Sequence, residues 1–132
     1  MLRIDLSRLN ELCHSVPEIL GVWVFGSAKE GKKREESDLD IAVLFTHKPS
    51  FDLLASLRSS LQEAIEIDGI DLVVLNESSP ILRFEAVNGR LLFCRDRQQC
   101  AEFVSLSARE YESEMAMIEK WVRKATVDYS FR

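Results

Sequence analysis

The sequence predicts an α/β (α+β) fold: a mixed sheet of about four strands flanked by helices, with a long C-terminal helix. Three observations carry this expectation. Four short runs, residues 21–25, 39–45, 70–75 and 91–94, have the length and the β-branched or aromatic content of strands. Segments with apolar residues at helical spacing lie between them. From about Asp96 the chain reads as helix almost to its end. At 132 residues it is expected to form one domain, residues 1–132, with its strands in about 20–95 and a C-terminal helical region over about 96–128.

The elements are justified in chain order. Leu6, Leu9 and Leu12 place a short amphipathic helix over 4–13, capped by Asp5 or Ser7, with Pro17 as a break beyond it. GVWVF (21–25) suits a buried strand and stops at Gly26-Ser27. AKEGKKREES (28–37) has no large apolar side chain and reads as a polar excursion. LDIAVLF (39–45) is the second strand, and Lys48-Pro49-Ser50 breaks it. Over 51–66, Leu54, Leu57, Leu61 and Ile65 share one helical face. Asp68-Gly69 is a turn before the third strand, 70–75. Ser79-Pro80 is a cap and first-position pair for a helix that runs to about Val87 and ends at Asn88-Gly89. The last strand is 91–94.

Composition excludes several classes of function. With 46% hydrophobic and 30% charged residues, 5 Gly and 3 Pro, the chain is neither collagen-like nor largely disordered. A net charge of −5 argues against a sequence-independent grip on nucleic-acid phosphate, so direct nucleic-acid binding is not expected. Cys13, Cys94 and Cys100 show neither disulfide nor zinc spacing and are expected as reduced thiols. No apolar run reaches the ~18–20 residues of a membrane span, and the expected compartment is the cytoplasm without membrane attachment.

One constellation carries chemistry. Asp38 and Asp40 flank Leu39 at the head of a strand, so alternation sends both carboxylates to one face. Their Cα atoms lie roughly 6–7 Å apart, within reach of one hard cation. Alone, such a pair fits either a metal seat or a solvated strand end. Gly26-Ser27 stands ten residues ahead of the pair, where a strand gives way to a turn whose backbone N–H groups can meet anionic oxygens. A chance match to all four residue types at this spacing is on the order of one in a thousand.

Gly26-Ser27, ten residues, then Asp38-Leu39-Asp40 resembles the nucleotidyltransferase superfamily of DNA polymerase β and the aminoglycoside nucleotidyltransferases. The likeness covers about 20–95 and is nearest to MntA-type antitoxins, minimal nucleotidyltransferases paired with HEPN ribonuclease toxins. It implies a nucleotidyltransferase-type sheet and a third carboxylate on the next strand, matched by Asp71, with Asp68 as the competing turn residue. It further implies that Gly26 and Ser27 bind the ATP phosphates. Asp38 and Asp40 would hold two Mg²⁺ ions, and Asp71 would assist the ion nearest the attacking hydroxyl. The implied reaction moves AMP from ATP to a tyrosine hydroxyl of the HEPN-type toxin, in a hetero-oligomer with that toxin. Two alternatives stay open: a transferase acting on a small aminoglycoside-like molecule, and a silent antitoxin acting by binding alone. Ala28 and Glu30 stand where relatives often carry basic residues, leaving Lys29, Lys32, Lys33 and Arg34 as possible substitutes.

Other patterns fail. GSAKEGK (26–32) begins like a phosphate-binding P-loop, but Lys33 stands where Ser or Thr must meet the metal. Arg8 and His14 fit a loose Arg/His ribonuclease pattern on the wrong fold class, and His47 has no nucleophilic partner. Beyond the strands no room is left for an acceptor domain, so the acceptor is expected as a separate molecule. On the last helix, Val104, Ala108, Tyr111, Met115, Ile118, Val122 and Ala125 form a heptad-like stripe expected mostly to cover the sheet. Phe103, Met117 and Trp121 lie beside or off it, as a second apolar surface or a thicker core contact.

Overall fold

The computed structural model describes residues 2–3, 5–26, 32–33, 38–66 and 69–130. The order is β1 (Leu2–Arg3), α1 (Leu6–Ser15), β2 (Ile19–Phe25), β3 (Lys32–Lys33), β4 (Leu39–Phe45), α2 (Phe51–Ile65), β5 (Ile70–Val74), α3 (Pro80–Val87), β6 (Arg90–Cys94) and α4 (Arg97–Ser130), with a 3₁₀ turn at Leu75–Glu77. The main sheet runs β5-β4-β2-β6, and β1 pairs with β3 in a separate ribbon that the sequence did not announce. β2 lies antiparallel to β4 and β6, whereas β4 and β5 are parallel and joined through α2.

Helices cover both faces of this sheet, which explains why β2 and β4 read as unbroken apolar runs. On one face Leu39, Ile41, Val43 and Phe45 join Leu9 and Cys13 of α1 and Leu57 and Leu61 of α2. On the other, Ala42 and Leu44 join Trp23, Phe25, Ala86 of α3 and Cys100 of α4. The caps are those the sequence offers: Asp5 accepts from the Ser7 and Arg8 amides, Ser50 from Leu53 and Ser79 from Leu82. β2 begins two residues earlier than expected, because Ile19 pairs with Phe45 across a bulge before Gly21. Asn76 extends the sheet edge with its side chain, accepting from the Phe45 amide and donating to the Phe45 carbonyl, both at 2.9 Å. Among the described residues no helix is long and apolar enough to cross a membrane.

The expectation for α4 needs correction. Its packing face is Cys100, Phe103 and Ser107, continued by Tyr111 stacked on Phe84 of α3. Phe103 packs against the core, the thicker core contact that the sequence left open. Val104, Met115, Ile118 and Val122 of the stripe are exposed, Val122 at 59%. For Met115, Ile118 and Val122 the reason is length: 34 residues make a helix of about 50 Å, far longer than the eight-residue α3 it packs on. The second half of α4 therefore stands beyond the core, with Met117 at 57% and Trp121 at 73% exposure.

Arg95 ties α1 to the sheet. Its guanidinium donates to the carbonyls of Ile19 (2.8 Å), Cys13 (3.3 Å), His14 (3.2 Å) and Val16 (3.0 Å), placing a cation on the last carbonyls of α1. Arg95→Ala should lower stability by about 2–3 kcal/mol, since several charge-assisted bonds go at once but do not add fully. Arg95→Lys should recover less than half of that loss, because an ammonium lacks the planar fork. Urea unfolding of the three proteins measures both.

Candidate active site

Three strand ends meet where β2 stops and β4 begins. Phe25 pairs with Asp40, and Asp40 pairs in turn with Asp71 of β5. Period-two alternation puts Asp40 on the same face as Ala42 and Leu44, the face covered by α3 and α4. At these strand ends Asp38 and Asp71 are exposed and Asp40 is half-buried.

Two glycines make room for the carboxylates. Gly26 has φ +70°, in the left-handed region, and a Cβ there would lie 2.5 Å from Asp40 Oδ2. Gly69 approaches Asp38 in the same way, a Cβ there falling 2.5 Å from Asp38 Oδ1, while its carbonyl accepts from the Leu39 amide at 2.8 Å. Each aspartate thus sits against a bare backbone.

The electrostatics are unfavourable without a counter-charge. Burial raises the Asp40 pKa above the usual carboxylate range, and Asp71 raises it further through its charge and a hydrogen-bonding contact, followed by the charges of Asp38 and Glu85. A proton or a cation would relieve this repulsion. The donors are hard carboxylate oxygens, which suits Mg²⁺ better than a soft or imidazole-seeking metal. Asp40 and Asp71 form the close pair; among the described residues no three acidic, histidine or cysteine side chains gather around one point.

Ser27, Lys29, Arg34 and Asp68 lie outside the described residues, and Lys32 and Lys33 are described only as strand backbone. No sequence pattern singled out the α3 side of the site. There a cleft of about 270 Å³ is lined, among the described residues, by Phe25, Gly26, Glu85, Asn88 and Gly89. Asn88-Gly89 announced only a helix end, and no motif signals Glu85.

A family model described as "Polymerase beta, Nucleotidyltransferase" matches residues 7–98. No curated protein matches the chain. Similar solved structures include a mutant of the toxin-antitoxin complex MntA-HpeT, at 25% identity and TM-score 0.74 over 98% of this chain and 100% of that chain. A toxin-antitoxin structure with AMP-PNP matches at 24% identity and TM-score 0.73 over the same shares, 98% and 100%. A tri-AMPylated Shewanella oneidensis HEPN toxin in complex with MNT antitoxin matches at 22% identity and TM-score 0.67, covering 96% of each chain. With its carboxylates at the strand ends and a family match over most of its length, the chain belongs to the polymerase β nucleotidyltransferase family and is an MntA-like minimal member of it.

Proposed function

We propose that this protein is a cytoplasmic antitoxin that transfers AMP from ATP to a tyrosine hydroxyl of a cognate HEPN ribonuclease toxin, silencing it. The observation that carries this reading is the in-register pair Asp40 and Asp71 beside Gly26, an acidic strand end left open to solvent. The AMP-PNP and tri-AMPylated toxin structures among its likenesses support the nucleotide and the acceptor.

In this reading Asp38 and Asp40 hold two Mg²⁺ ions, and Asp71 assists the one nearest the acceptor. When bound, Mg²⁺ supplies charge neutralisation at the phosphates and a lowered proton affinity at the attacking oxygen. Gly26, with no side chain, lets phosphate oxygens approach the backbone, and Ser27 adds a hydroxyl donor. The tyrosine oxygen forms a bond to the α-phosphorus as the bond from that phosphorus to the α,β-bridging oxygen breaks. Pyrophosphate leaves with the bond electrons, and the phenolic proton passes to Asp71 or to water. A tyrosine pKa near ~10 makes that proton acceptor necessary at neutral pH. The exposed Met117, Trp121 and Val122 on α4 give a protein acceptor a docking face, which favours it over a small-molecule acceptor.

Incubating the toxin with this protein, ATP and Mg²⁺ should add whole AMP units to the toxin's intact mass, and Asp38→Ala or Asp40→Ala should abolish the gain without unfolding the protein. An unmodified toxin that is nevertheless bound and silenced would establish the binding-only antitoxin instead; labelling of aminoglycosides would establish the small-molecule transferase. Trp121→Glu should slow transfer at limiting toxin while leaving ATP affinity unchanged, as calorimetry would show.

The charge crowding around Asp40 gives a separate expectation. Asp40→Asn removes a charge that is half-buried and repelled, so the metal-free protein should melt at a higher temperature than wild type. Added Mg²⁺ should raise the wild-type midpoint and leave that of Asp40→Asn nearly unmoved.

A further inference from the structure

We propose that Cys94 and Cys100 are a reversible dithiol–disulfide pair, oxidised by a low-molecular-weight disulfide, and that the bond they form fastens the root of α4 to β6. The pair sits beside Gly21 near the start of β2, whereas the carboxylates gather at its end, so it works independently of nucleotidyl transfer.

The two sulfurs lie 2.8 Å apart, in hydrogen-bonding contact. A disulfide bond is about 2.05 Å long, so closure asks for less than an ångström of movement. Gly21 makes the seat. It pairs with Cys94 across β2 and β6, and a Cβ there would fall 3.2 Å from Cys100 Sγ and 3.0 Å from the Trp23 ring. The short chain between the cysteines is tied down as well. The Arg95 amide donates to the Leu20 carbonyl at 2.8 Å, and the Cys100 amide donates to the Asp96 carbonyl at 3.0 Å. Asp96 Oδ1 accepts from the Gln99 amide at 3.1 Å, which caps the first turn of α4. The fold therefore holds the thiols facing each other before any oxidant arrives.

The surroundings divide the work between them. Cys94 is half-buried, whereas Cys100 is buried. Burial, followed by the contact with Cys94, pushes the Cys100 thiol up to about 12, so it stays protonated at neutral pH. Cys94 thus meets the oxidant first. It gives its proton to water as its sulfur attacks one sulfur of the oxidant, whose S–S bond breaks and releases one thiol. Cys100 then gives up its proton as its sulfur attacks Cys94 Sγ, forming the internal bond and releasing the second thiol. The protein loses two electrons and two protons, and the oxidant gains both as its two thiols. Proximity offsets the small thiolate fraction of Cys100 in this second step. Cys13 takes no part: it is buried on the opposite face of the sheet, among Leu9, Leu57 and Leu61.

The bond would join the last residue of β6 to the first turn of α4, where that helix leaves the sheet. In a reducing compartment the pair stays open until oxidant accumulates, as intracellular disulfides commonly do.

The full chain incubated with oxidised glutathione, quenched in acid, unfolded and alkylated tests the assignment by intact mass and peptide mapping. Wild type should lose two hydrogens, yield a linked Cys94–Cys100 peptide and leave Cys13 alone to be alkylated, with full reversal by dithiothreitol. Cys100→Ser should stop at one glutathione on Cys94, and Cys94→Ser should stay unmodified. The oxidised protein should melt about 5 °C above the reduced one. A persistent wild-type glutathione adduct with Cys100 still alkylated overturns the pairing, as does a link through Cys13 or no reaction at all. These wild-type readouts decide the matter even where a variant fails to fold. A melting midpoint unchanged or lowered by oxidation overturns the fastening of α4.

Discussion

The register of β4 between its two neighbours is the constraint on which the rest depends. β4 sends Leu39, Ile41, Val43 and Phe45 to the α1/α2 side and Asp40, Ala42 and Leu44 to the α3/α4 side. A slip of one residue would drive Asp40 into an apolar layer and bring Leu39 out to the solvent-facing strand end. Such a slip costs the burial of a charge together with the exposure of a leucine, several kilocalories per mole on either count, so the register is held firmly. The same register then places Asp40 opposite Phe25 on one side and Asp71 on the other. Packing alone therefore brings together carboxylates that repel one another.

That assembly was largely legible in the sequence because it rests on short-range signals. Period-two alternation around Leu39 put Asp38 and Asp40 on one face, the apolar run 39–45 fixed the strand, and Ser79-Pro80 and Asn88-Gly89 bounded α3 at its observed ends. What the sequence hid depends on distant partners. Ile19 and Leu20 join β2 because Phe45 and Arg95 wait across the fold. Arg95 reads as one more surface charge until four carbonyls from the end of α1, its C-cap Val16 and the start of β2 converge on it. On α4 the heptad stripe was visible, but which side of it meets the core depended on how soon α3 runs out beneath it.

Glu85 shows the same limit from the side of the site. Nothing within a few residues marks its position, which depends on Asp40, forty-five positions earlier in the chain, and on the cleft it shares with Gly26. Arg95 is its counterpart at the other end of the sheet. Both are charges beside a helix C-terminus, yet Arg95 has the sign that the dipole of α1 favours and finds carbonyl partners, while Glu85 has the opposite sign at the end of α3 and finds none among the described residues.

This difference separates the parts of the molecule by purpose. Stability is built where charge and dipole agree, at the joint of α1, β2 and β6. The opposite end of the sheet sets negative charge beside bare glycine backbone, and burial together with the charges of Asp71, Asp38 and Glu85 makes Asp40 harder to ionise. A fold selected for stability alone would place neutral or basic groups at those positions. The repulsion that Asp71, Asp38 and Glu85 exert on Asp40 is tolerable because water reaches the strand ends. The same opening that keeps the repulsion bearable leaves the site accessible to a cation and a polyphosphate, whose opposite charges can approach only together.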